Sequence, residues 1–276
     1  MNSNHNNVVV YGGFDNILSH DIRFLQEASC FGLLNVFLWN DEFIRSATGM
    51  EPKFTENERL YFLESIRFVH KVCMVSQPSG DMDFSSIKNV HPSAWFVRQG
   101  DDTSAVRTFC EKEKIEFRIL KKSDIIGRPN ACEIKLNGNS KKKVLVTGCF
   151  DWFHSGHVRF FEEASEMGDL YVVVGNDANV RALKGQNHPM FSQTERCYIV
   201  ESIRYVKQAL ISTGRGWLDA EPELRRLKPD IYAVNEDGDR PEKQKYCQNN
   251  GIKYVVLKRL PKAGLPRRES KVIRGF

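Results

Sequence analysis

Residues 147–160 read TGCFDWFHSGHVRF, and the fold turns on them. The run that leads in, Lys143-Val144-Leu145-Val146-Thr147, is short, apolar and β-branched, the pattern of a buried parallel strand. Beyond it Val158, Phe161, Ala164 and Met167 recur at helical spacing, which predicts a helix beginning near 155–157. A helix that starts just after such a strand offers its free N–H groups to whatever lies over the turn, and helix starts bind anions. His154 and His157, around Ser155 and Gly156, add two imidazoles whose donors follow charge as it builds on a phosphate.

The same alternation continues to the end of the chain. Strands are expected at 143–147, 170–175, about 206–211, 230–234 and 253–257, with helices near 156–167, 192–204, 219–227 and 240–250. Strands alternating with helices imply an α/β class with a doubly wound parallel sheet, whose ligands bind at the carboxyl ends of the strands. The turn with the two histidines follows the first of these strands and so lies at that edge.

Laid on itself, the chain repeats. YGGFDNILSHDIRFLQEASCFG, from Tyr11, pairs with TGCFDWFHSGHVRFFEEASEMG, from Thr147, at a constant offset. Asn40-Asp41 recurs as Asn176-Asp177, and after one inserted residue Glu58-Arg59 recurs as Glu195-Arg196 and Cys110 as Cys247. A period this long is two copies of a whole domain. The copies part at the chemistry: Leu18, His20 and Asp21 stand in the first where the second has His154, Gly156 and His157, and Thr48 stands where it has Lys184. A carboxylate at position 21 repels a polyphosphate. Residues 1–125 are therefore expected to keep the fold without catalysing, residues 126–142 to form a linker with one short strand at Cys132–Leu136, and residues 143–276 to hold the active domain.

Composition bounds the function. A chain of 276 residues with 41% hydrophobic and 27% charged residues is long enough for two modest globular domains. No apolar run reaches membrane-spanning length, and the start MNSNHNN is neither a basic nor an apolar leader, so a cytoplasmic protein is expected. Seven cysteines without paired spacing point to reduced thiols and no zinc site. A net charge of +5 suits an anionic small molecule but is too small and too evenly spread for nucleic acid.

Gly148, Phe150, Asp151, His154, Gly156 and His157 match the Gly-x-Phe-Asp-x-x-His-x-Gly-His turn of the cytidylyltransferase family, which the second half of the chain closely resembles. The resemblance implies two tandem Rossmann-like nucleotidyltransferase domains. The tandem arrangement is similar to that of ethanolamine-phosphate cytidylyltransferases, although here the second copy is the intact one. By the same resemblance, His154, His157 and Lys184 are the candidate catalytic residues. Gly148, Cys149, Phe150, Gly156, Asn235, Asp237, Arg268, Ser270 and Lys271 are candidates for nucleotide binding, and Asp151, Asp177 and Arg196 for substrate binding. Because Asp15, Asp41 and Arg59 survive in the first copy, a structural role competes at each of those last three positions. Lys271 departs from the family's threonine, and Asn235-Glu236 from its Gly-Asp.

The implied reaction is attack of a phosphate monoester oxygen on the α-phosphate of CTP, releasing pyrophosphate. Mg2+ would bridge the phosphates while keeping several waters, which fits the absence of any ligand cluster in the sequence. The resemblance implies a small alcohol, amino-alcohol or sugar phosphate as acceptor and a pairing of the halves as an internal pseudo-dimer, with a homodimer as a further option. Two other readings stand beside this one: an adenylyltransferase using ATP on a sugar phosphate or an FMN-like acceptor, and a non-catalytic nucleotide-binding scaffold.

Overall fold

The computed structural model describes residues 6–75, 84–126 and 141–270. It divides into two compact units, Met1–Gly127 and Arg128–Phe276. The proposed linker and its strand at Cys132–Leu136 fall almost wholly outside the described residues, as does Lys271.

In the first unit the order is β1 (Asn7–Gly12), α1 (Ser19–Ser29), β2 (Leu33–Trp39), α2 (Asp41–Thr48), α3 (Glu56–Ser65), β3 (Val69–Val75), α4 (Ser85–Lys88), β4 (Pro92–Arg98), α5 (Ser104–Glu113) and β5 (Glu116–Leu120). The second unit runs β6 (Lys143–Gly148), α6 (Ser155–Ser165), β7 (Asp169–Val174), α7 (Asp177–Lys184), α8 (Gln193–Glu201), β8 (Val206–Ile211), α9 (Glu221–Leu227), β9 (Ile231–Asn235), α10 (Pro241–Asn249) and β10 (Lys253–Leu257). Each unit forms one five-stranded parallel sheet, in the orders β3-β2-β1-β4-β5 and β10-β9-β6-β7-β8. These are two tandem Rossmann-like α/β domains.

The central strands β1 and β6 are buried on both faces, which is why Val8–Val10 and Val144–Val146 read as unbroken apolar runs. Strand order reverses at β6: β7 and β8 lie on one side of it, β9 and β10 on the other. Right-handed crossovers then put α6 and α10 on opposite faces, and a crevice opens between β6 and β9 at the carboxyl edge. Leu224, Leu227 and Cys247 pack with Tyr171, Val173 and Tyr232 beneath that edge.

Sheet register makes the internal equivalence exact in three dimensions. Asn7 pairs Leu33 as Lys143 pairs Asp169, and Ala94 pairs Glu116 as Ile231 pairs Lys253. Positions thus correspond at an offset that grows by one residue between α2 and α3. The extra residue of the second copy falls in the connection from α7 to α8. Lys184 ends α7, a helix absent from the sequence expectations, which is capped by the Asn176 side chain and stopped by Gly185 at φ 97°.

Gly168 sits where α6 returns to the sheet, at φ 156°, and a Cβ there would lie 2.1 Å from the Lys142 carbonyl oxygen. That carbonyl accepts the Asp169 N–H at 2.8 Å, so neither side has room to yield. Gly168→Ala is expected to lower stability by about 2 kcal/mol or more, read as a lower denaturant midpoint at an unchanged slope.

Candidate functional site

The end of β6 runs into α6 through a turn in which Phe150 adopts a left-handed φ of 51°. Its ring folds back over Gly148, where a Cβ would meet the ring at 2.6 Å, and packs on Phe161 and edge-on to His157. Glycine at 148 and an aromatic at 150 are therefore one device. The first copy builds the same turn, with Phe14 at φ 47°.

His154 caps α6. Its Nδ1 accepts the Gly156 N–H at 3.1 Å, while the backbone N–H of His154 is directed at Nδ1 of His157, 3.3 Å away. With both Nδ1 atoms accepting, each neutral ring carries its proton on Nε2 and donates from there. The two rings stack at 4.0 Å, and Phe153 stacks on the other side of His157. Burial, then the neighbouring His154, Arg259 and Lys184, hold His157 well below the ordinary histidine pKa. It is a neutral hydrogen-bond donor awaiting negative charge.

The pair opens into a cleft of about 770 Å³. Of the residues singled out in the sequence, Gly148, Cys149, Phe150, Asp151, His154, Gly156, His157, Lys184, Asn235, Asp237 and Ser270 line it. Asp237 is held by Arg259 at 2.8 Å, and the Ser270 hydroxyl donates to the Trp152 carbonyl. Three of the described candidates, Arg268, Arg196 and Asp177, lie elsewhere. Arg268 borders a small neighbouring cavity against α6, and Arg267 takes the place expected for it in the main cleft.

Arg196 is the clearer correction. Its side chain is fully buried: Nε donates to the Phe191 carbonyl, and the two terminal nitrogens to the carbonyls of Cys149 and Gly175 and to Asp177 at 2.7 Å. It ties the ends of β6 and β7 to the starts of α7 and α8 and presents nothing to a substrate. Arg59 does the same with Phe54, Gly13, Trp39 and Asp41. Asp177 serves that pair. Asp151, although at the cleft wall, accepts the N–H groups of Met190 and Phe191 at 2.8 and 3.0 Å, as Asp15 accepts those of Lys53 and Phe54. The persistence of these residues in both copies was the available signal for a framework role.

Among the cleft residues that escaped sequence reasoning are Trp217, Arg240, Lys243 and Arg259. Lys243 is 8% exposed, with burial the main cause lowering its ammonium below the usual lysine range. Nothing in local sequence marks it. Only its counterpart Val106 in the first copy does.

In the first unit the equivalent space is filled. Tyr11, Trp39, Phe43 and Trp95 replace Thr147, Gly175, Asn179 and Tyr232, and their rings pack on one another with centroids 4.4–6.2 Å apart. Asp21, in place of His157, still accepts the N–H of the helix-capping residue, Leu18, but its other oxygen takes Arg98 at 2.7 Å. The bare charge expected from sequence is neutralised, and the obstacle is occupied volume.

The family model for cytidylyltransferase-like proteins matches residues 145–260. The FAD synthase of Pyrococcus horikoshii is 38% identical over 130 residues, 46% of this chain and 84% of that protein. That of Pyrococcus abyssi is 37% identical over 128 residues, covering 45% of this chain and 83% of that protein. The chain belongs to the cytidylyltransferase-like nucleotidyltransferase family. The bifunctional protein HldE of Campylobacter curvus is 35% identical over 112 residues, 40% of this chain, but this chain spans only 23% of that relative's length.

The family match lies wholly within the second unit. Among the described residues no group of three or more His, Cys, Asp or Glu could hold a metal ion, and no helix is long and apolar enough to cross a membrane.

Two outcomes follow for this domain. Arg196→Met, which strands three carbonyls and Asp177, should cost about 3 kcal/mol or more in unfolding free energy, with any loss of activity tracking the loss of folded protein. His157 takes up a proton below about pH 6.5 only in the unfolded chain. Stability should therefore fall as pH drops from 7.5 to 5.5, and His157→Asn, measured by urea unfolding at both pH values, should show a smaller fall.

Proposed function

We propose that the second unit transfers a nucleotidyl group from a nucleoside triphosphate to a small phosphate monoester. An acceptor phosphate oxygen attacks the α-phosphorus in line, the bond to the β-phosphate breaks, and pyrophosphate leaves with the electron pair. No protein nucleophile is required, since alignment and charge stabilisation supply the rate. The observation that carries this reading is the pair of Nε2-protonated imidazoles at the α6 start, stacked and desolvated beside Lys184 and Arg259. As the α-phosphorus becomes pentacovalent, His154 and His157 donate to its oxygens, and the start of α6 adds the positive end of its helix dipole. Lys184, Arg267 and Ser270 face the same cleft and would bear on the triphosphate and leaving pyrophosphate. Mg2+ arriving with the nucleotide would supply positive charge to the triphosphate, with Lys184 and Arg267 as its cationic neighbours in the cleft, and would need no protein cage.

CTP is the donor that the motif resemblance favours. A second reading, ATP as donor, is supported by relatives named for FAD, a product that contains an adenylyl group. Asn235 and Asp237 lie where ribose or base would extend from the phosphates along β9. The first unit, its cleft packed with aromatic side chains, acts as a non-catalytic partner. A purely binding scaffold remains the competing class, and pyrophosphate release separates it from either enzyme.

Calorimetric titration with CTP and ATP in magnesium is expected to give one saturable site per chain and to name the base. His157→Ala should lower turnover a hundredfold or more, on the order of 3 kcal/mol of transition-state stabilisation. A variant that kept most of its activity would falsify the role given to His157.

A further inference from the structure

The cleft has a second cationic centre that the transfer chemistry leaves unused. Lys243 lies in the first turn of α10, on the face of the sheet opposite α6, and reaches the crevice between β6 and β9. Its Nζ donates to the Gly238 carbonyl at 3.2 Å and to the Thr147 hydroxyl at 3.4 Å, which leaves one N–H for the cleft. Among the described residues no carboxylate lies within ion-pair distance of it, and the acidic groups nearby are already engaged. Asp219 accepts from Ser212, Asp239 from Gln244 and Tyr254, and Asp237 is paired with Arg259. Arg240, just before α10, lays its guanidinium 4.9 Å from the centre of the Trp217 ring. That ring is half exposed in the cleft, and its loop is pinned by Asn179, which exchanges hydrogen bonds of 2.7 and 3.1 Å with Gly216.

The fold does not need this arrangement. In the first unit the same turn of helix carries Val106 in place of Lys243 and Thr103 in place of Arg240, and Phe43 replaces Asn179. Burying an ammonium with no carboxylate in direct contact costs stability that the more distant Asp219, Asp239 and Asp237 offset only in part, so its presence where valine suffices marks a ligand. An ammonium and a guanidinium only donate, and both repel a cation.

We propose that Lys243, Arg240 and Trp217 form the subsite for the body of the acceptor. That body is rich in oxygen, a polyol or sugar phosphate whose hydroxyl or carboxylate groups accept from the two cations, and amino-alcohol phosphates are excluded. This rests on the nucleotidyl-transfer reading for the word acceptor, but its test is a binding measurement that requires no turnover.

The full chain is titrated by ligand-observed NMR with glycerol 3-phosphate, ribitol 5-phosphate, an aldose phosphate and a phosphorylated sugar acid, and with phosphocholine and phosphoethanolamine. The oxygen-rich set should include binders at least about tenfold tighter than either amino-alcohol phosphate, and the sugar acid against the neutral sugars tells carboxylate from hydroxyl recognition. Lys243→Val, which copies the first unit, should weaken those binders about tenfold or more. It should leave the nucleotide dissociation constant within twofold and melt no lower than the parent, with Lys243→Met as the second variant. Equal or tighter binding of the amino-alcohol phosphates overturns the proposal, as does no binding by either set or a parallel loss of nucleotide affinity in both variants. Failure of nucleotidyl transfer itself appears separately, as an absence of pyrophosphate release in the parent protein.

Discussion

A buried guanidinium sets the geometry on which everything at the carboxyl edge depends. Arg196 spends its donors on the carbonyls of Cys149, Gly175 and Phe191 and on Asp177. Two strand ends and two helix starts are thereby fixed around one planar group. Because arginine presents its donors in a rigid fork, the arrangement specifies angles as well as distances. The turn that aims His154 and His157 hangs from this point, and the first unit has the same point in Arg59, beneath a turn that carries Leu18 and Asp21 instead.

His157 carries two duties that the duplication pulls apart. Its Nδ1 helps to close the start of α6, and its Nε2 faces the cleft. Asp21 performs the first duty in the other copy by accepting the Leu18 N–H, and cannot perform the second because an ionised carboxylate donates nothing. The comparison within one chain thus separates what holds the helix from what would touch a phosphate.

Fold class, the parallel arrangement of the second unit's five strands, the repetition of that unit in the first half and the histidine turn were legible from periodicity and repetition, because these are local or self-referential signals. The short helix α7 was not: DANVRALK has only Val180 and Asn179 buried, too few inward positions to set up a period. Arg196 and Arg268 misled for a different reason. A motif says which residue type recurs, and it says nothing about whether the guanidinium turns to the cleft or to the backbone beneath it. Lys243 and Trp217 were invisible because they enter the crevice from α10 and from the loop after β8, far along the chain from the turn they face. Only folding brings them to the same opening.

The aromatic filling of the first unit has a historical meaning. Once Tyr11, Trp39 and Phe43 had closed over one another, and Arg98 had settled against Asp21 and the rings of Phe14 and Phe24, each change became support for the others. Histidines at positions 18 and 21 would take from Arg98 its 2.7 Å partner, leaving it the longer 3.8 Å contact with Asp101, and would leave the aromatic packing in place. The substitutions that separate the two halves are thus interlocked, and reversing any one of them disturbs contacts that the others make.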